Sequence, residues 1–129
     1  MNIDRCPSTL VPGFTSYSPA GLRKLFDGKK VSPILPYDAP DIHGEPEEFL
    51  KNREHISISG VQEKLSVLVD RGTIRLTKSG EQVTHLLKPI SSRLARASDM
   101  PANEHVTMQI AAQLFGISTA PNGLCFFQT

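Results

Sequence analysis

At 129 residues, 39% hydrophobic and 21% charged, the chain is long enough for one domain with a core of its own and is ordinary in composition for a globular protein. Fourteen basic against thirteen acidic residues leave a formal charge of +1, which removes any broad electrostatic case for nucleic acid or an anionic membrane as a direct partner. Cys6 and Cys125 lie near opposite ends without a Cys-x-x-Cys pair or a Cys/His cluster, which argues against a metal site and a disulfide scaffold.

Residues 1–54 carry seven of the ten prolines, so long regular elements are not expected there. One short helix is predicted. Ser18 can cap it, Pro19 suits its first position, and Leu22, Leu25 and Phe26 share a face before Gly28 ends it. The remainder of this proline-rich extension reads as an arm packed on the domain behind it. The opening Met1-Asn2-Ile3-Asp4-Arg5 lacks the basic-then-apolar pattern of a secretion signal, and no run approaches the roughly 18 apolar residues of a bilayer span. A cytoplasmic protein with reduced thiols is expected.

A second unit is expected over residues 55–129, where strand-like runs alternate with glycine-bearing turns: 65–69, 73–77 and 82–88. Their spacing predicts an antiparallel meander, with Leu65, Val67 and Val69 on one face and Ile74 and Leu76 alternating in the next strand. Its apolar face needs a cover. A helix over about 101–115 supplies one, with Val106, Ile110 and Leu114 as the packing ridge and Gly116 as a left-handed stop. Two short strands are predicted at 117–120 and 124–127, around Pro121-Asn122-Gly123. The fold class is therefore α+β, an antiparallel sheet with one main packing helix behind an N-terminal extension.

Three features bear chemistry. Ser57-Ile58-Ser59-Gly60-Val61-Gln62-Glu63-Lys64 is a polar turn whose glycine lets backbone N–H groups approach an anion, although such turns are also common as plain solvated loops. Lys88 ends the run Leu86-Leu87-Lys88-Pro89, where its ammonium either snorkels to water or needs a carboxylate partner. Glu104, near the start of the predicted helix, is that partner, unless it is there only to complement the helix dipole. Their conjunction, in this order, is what a kinase small lobe needs to grip phosphates. His85 and His105 have no metal-ligand spacing and read as surface or packing residues, and Arg93, Arg96 and the Lys29-Lys30 pair read as solvated.

With Ala102-Asn103-Glu104-His105 opening the helix, residues 55–129 resemble the small lobe of HipA-type serine/threonine protein kinases, the toxins of bacterial toxin–antitoxin systems. The stretch from Cys6-Pro7 through Ile34-Leu35-Pro36-Tyr37 is more loosely similar to N-terminal extensions in some members. The resemblance implies that Lys88 contacts the α/β-phosphates of ATP, that Glu104 orients Lys88, and that the backbone of residues 59–64, including Ser59, Gly60, Val61, Gln62 and Lys64, covers the nucleotide. It also implies that Ser57 and Ser59 match a Ser-x-Ser pair of the shorter, HipT-like branch, whose serines are autophosphorylated. A phosphoserine there would repel the phosphates of ATP.

The family's catalytic aspartate and magnesium ligands belong to a large helical lobe absent from these 129 residues, so no catalytic residue is assigned and phosphate transfer is expected only with a large-lobe partner that supplies Mg. The alternative is a non-catalytic, antitoxin-like regulator that binds and neutralises a HipA-like kinase. A DNA-binding antitoxin would be reached only through such a complex, because the chain shows neither a helix-turn-helix pattern nor a basic patch.

Overall fold

The computed structural model describes residues 2–38, 64–89 and 99–128. Helix α1 (Pro19–Phe26) starts as its sequence dictates: Ser18 is extended, its hydroxyl accepts from the Gly21 N–H at 3.1 Å, and Pro19 occupies the first turn. It stops one residue before the predicted glycine. Asp27 already turns left-handed at φ 53°, Gly28 follows at φ 80°, and the Gly28 N–H closes on the Leu22 carbonyl at 2.9 Å.

Strands β2 (Leu65–Asp70), β3 (Thr73–Leu76) and β4 (His85–Leu87) make an antiparallel sheet whose order is β3-β2-β4. Arg71 and Gly72 both have positive φ, 51° and 77°, as a two-residue hairpin turn requires, and Asp70 pairs with Thr73 across it. The meander expected from the sequence is corrected here, because β4 pairs with β2 and not with β3: Leu65 faces Leu87 and Val67 faces His85. Residues 77–84 are too long a connection for a tight hairpin and cross to the other edge of β2. Within that connection Glu81 takes both guanidinium nitrogens of Arg75, at 2.8 and 2.6 Å, and accepts from the Lys78 N–H at 2.7 Å.

Two short strands close the sheet from the ends of the chain. β1 (Ile34–Leu35) pairs in parallel with β5 (Phe126–Phe127), and it runs alongside β3 as well, tied by the Ser32 N–H to the Gly72 carbonyl at 2.9 Å and by the Leu76 N–H to the Tyr37 hydroxyl at 3.1 Å. Of the two late strands predicted, that at 124–127 forms as β5, whereas 117–120 is irregular. The core joins both halves of the chain: Tyr17, Phe26, Val31 and Leu35 pack with Leu65, Val67, Ile74 and Leu76.

The sheet's cover among the described residues is therefore α1 with Tyr17, not the later helix. That helix, α2 (Met100–Phe115), has the predicted extent and ends at Gly116 with φ 64°. Its expected packing ridge is turned outward: Val106, Ile110 and Leu114 are exposed, and the helix buries His105. The reason lies in its polar side. Gln109 donates to the Asn122 side chain at 2.9 Å and Gln113 to the Thr9 carbonyl at 2.9 Å, which ties this polar side to Asn122 and the N-terminal loop. The architecture is α+β, with two helices and the antiparallel sheet among the described residues.

Candidate functional site

The end of β4 and the start of α2 meet at one ion pair. Lys88, just past β4, places its Nζ 2.5 Å from Oε1 of Glu104. Leu87 packs against the core and Leu86 is exposed, so the alternation that buries one side of the strand carries Lys88 onto the other. Both partners remain more than a third exposed, 36% and 38%. The ammonium has three donors and Glu104 engages one, so donors remain for an anion arriving from solvent.

Glu104 is the fifth residue of α2, whose first turn holds no acidic residue. The helix-dipole explanation, open on sequence alone, loses force because that interaction fades beyond the first turn. Lys64 stands immediately before β2, and the β2–β4 register, continued by one residue from Leu65 and Leu87, sets it across from Lys88. Two cations and one carboxylate thus gather at the same end of the sheet. The other residues expected at the site, Ser57, Ser59, Gly60, Val61 and Gln62, lie outside the described residues, as do Arg93 and Arg96.

What fixes Glu104 in place was not legible in the sequence. Its neighbour His105 is 3% exposed and its Nδ1 lies 2.6 Å from the Asn122 Oδ1. The Asn122 amide nitrogen donates to the Ala120 carbonyl at 2.9 Å, so Oδ1 is the acceptor and His105 Nδ1 carries the proton. The Ser8 hydroxyl donates to the Asn122 carbonyl at 2.9 Å, which ties the N-terminal loop into the same node. His105 Nε2 is buried without a partner among the described residues, and burial holds the imidazole below its ordinary pKa. No spacing rule announces such a residue, because its partners stand 17 residues ahead and near the N-terminus.

The remaining candidates do structural work. His85 Nε2 bonds the Leu25 carbonyl at 2.7 Å and its ring lies against Phe26, with centroids 5.0 Å apart. Cys6 and Cys125 are free thiols, and the buried Cys6 sulfur accepts from the Ser18 N–H at 3.2 Å and the Thr9 N–H at 3.4 Å. Among the described residues no group of three or more His, Cys, Asp or Glu is placed to hold a metal ion, and no helix is long and apolar enough to cross a membrane.

Residues 56–129 match the family model of the HipA-like C-terminal domain. The matched stretch contains the Gly60 turn, Lys64, Lys88 and Glu104. No curated protein matches the chain.

Proposed function

Since the chain belongs to the HipA-like C-terminal domain family, we propose that it is the small-lobe part of a HipA-like serine/threonine protein kinase toxin of a bacterial toxin–antitoxin system, acting in the cytoplasm. In this reading it holds the phosphates of ATP and supports transfer to a protein hydroxyl together with a large-lobe partner, which contributes the base and the Mg ligands. The observation that carries it is the Lys88–Glu104 pair. A partly exposed pair of this kind is worth about 0–1 kcal/mol to folding, so what supports the reading is its place, where the end of β4 meets the start of α2 with Lys64 across from Lys88, and not any stability it lends.

A phosphate oxygen fits the donors of Lys88 that Glu104 leaves open, and Glu104 then fixes the direction in which the ammonium points. Lys64 adds a second positive charge at that end of the sheet, and the backbone of residues 59–64 covers the phosphates. ATP, when bound, supplies the transferable phosphoryl group. Ser57 and Ser59 are regulatory positions, since phosphate on either would bring negative charge to where the nucleotide's own charge belongs. A DNA-binding antitoxin would be engaged through the complex.

The test is Lys88→Ala in the assembled kinase. Transfer to protein substrate should fall by about 100-fold or more, while the midpoint of thermal unfolding of the chain shifts by no more than about 1 kcal/mol implies. Unchanged transfer would overturn the assignment. A second reading, a non-catalytic regulator that neutralises a HipA-like kinase, draws on the outward apolar side of α2 and predicts that Lys88→Ala leaves neutralisation intact.

A further inference from the structure

At the opposite end of the sheet from Lys88 lies an open cleft of about 1030 Å³. Lys88 follows Leu87, which faces Leu65 at the start of β2, whereas the cleft includes Arg71 and Gly72 past its end, six strand residues or roughly 20 Å away. The cleft therefore belongs to no part of the proposed nucleotide site. Its floor is apolar, formed by Tyr17, Leu22, Val31 and Ile34, and its edge carries Lys30, Arg71 and the hydroxyls of Thr15 and Ser16. Among the described residues none that lines it is acidic.

The basic edge is built into the fold. Gly72 presses on the 30–32 segment so closely that a Cβ there would stand 3.1 Å from the Lys30 carbonyl, and the Gly72 carbonyl accepts from the Ser32 N–H at 2.9 Å. The turn that carries Arg71 is thereby locked beside Lys30. Arg71 itself holds φ 51°, a left-handed conformation that asparagine or glycine would adopt with less strain. Its adjacent carboxylate is engaged elsewhere, since Asp70 Oδ2 accepts from Arg75 Nε at 3.0 Å. Lys30 and Arg71 are both exposed and form no ion pair among the described residues.

We infer that this cleft is a docking site for an extended peptide segment of a partner protein, one that sets acidic side chains beside apolar ones. The apolar floor takes the apolar side chains, and the carboxylates meet Lys30 and Arg71 at the edge. Charge complementarity selects this occupant: two cations with no acid beside them among the described lining residues favour carboxylates, and the floor disfavours a wholly polar ligand. Two cations are too few to track a nucleic-acid backbone, and the described lining holds a single aromatic ring, Tyr17, where a strand of stacked bases needs several.

The inference stands independently of the proposed kinase role. The experiment titrates the full chain into a fluorescein-labelled peptide of alternating leucine and glutamate, followed by fluorescence anisotropy, with an alternating leucine–lysine peptide of the same length as the counterpart. Saturable binding of the acidic peptide is expected, weakened about tenfold or more by the double variant Lys30→Glu/Arg71→Glu and by added salt. The double variant Arg23→Glu/Lys24→Glu, which changes the same number of exposed charges on α1 outside the cleft, should bind as the parent does. Bound peptide should shift the backbone amide resonances of residues 30–32, 34 and 71–73. Absence of saturation, equal binding of the lysine peptide, equal loss in both double variants, or preference for a single-stranded oligonucleotide would each overturn it.

Discussion

His105 shows how one side chain can serve its neighbour. Glu104 can meet Lys88 only if the start of α2 is held still, and the buried imidazole, bonded to Asn122, does the holding. Its depressed pKa has a consequence of definite sign. The unfolded chain takes up a proton near pH 6.5 and the folded chain resists it, so below that value the unfolded state binds more protons and stability falls as pH falls. Stability should be insensitive to this group above about pH 6.5 and decline below it. Denaturant unfolding at a series of pH values reads the slope, and His105→Gln should flatten it between about pH 6.5 and 5. Glu81 acts in a separate window. Arg75 holds its carboxyl down to about 2, so its contribution is fully present above the ordinary value of 4.5 and is lost progressively as pH falls from there to about 2. Cys6 is a further anchor: burial alone would raise its thiol, but the N–H groups of Ser18 and Thr9 pull it down to about 7.

At the scale of elements, α2 inverts the usual arrangement, because Gln109 and Gln113 tie it to Asn122 and Thr9 while its apolar ridge is left exposed. Leu114, 76% exposed, should therefore tolerate Leu114→Ser with a change in folding free energy within about 0.5 kcal/mol, measured by denaturant unfolding. The same substitution should weaken any complex that covers the helix. Because of this inversion the sequence reveals the helix and not the direction it faces. Local signals set the extent: Ser18 and Pro19 start α1, Gly116 stops α2, and Arg71-Gly72 makes the hairpin. Periodicity marks an apolar ridge without saying what it faces, and hydrogen bonds to Asn122 and Thr9, far apart in the chain, decided the matter. The crossing of β4 to the far edge of β2 was hidden for a similar reason, because antiparallel strands in sequence order are compatible with either edge. Lys88 and Glu104 were legible because a lysine after an apolar run and a glutamate early in a helix are each visible locally.

Over the whole molecule the core is shared between the proline-rich stretch and the sheet. Leu35, 2% exposed, comes from the former and packs with Leu65 and Ile74 from the latter. Leu35→Ala should cost about 2–5 kcal/mol and lower a single cooperative transition, followed by both circular dichroism and tyrosine fluorescence. Loss of only part of the signal would mean that the two stretches unfold apart. Tyr17 binds them further, with its ring 5.2 Å from that of Phe26 and its hydroxyl on the Leu124 carbonyl.

The parallel pairing of β1 with β5 also dictates an order of events during synthesis. Ile34 finds its partner at Phe126, and the adjoining bonds from the Phe126 N–H to the Pro33 carbonyl and from the Leu124 N–H to the Pro7 carbonyl, both 2.8 Å, are of equally long range. None can form until residues 124–127 have left the ribosome. Until then that edge of β1 stands unpaired, and its pairing with β5 comes late among the contacts that join the two stretches of the chain.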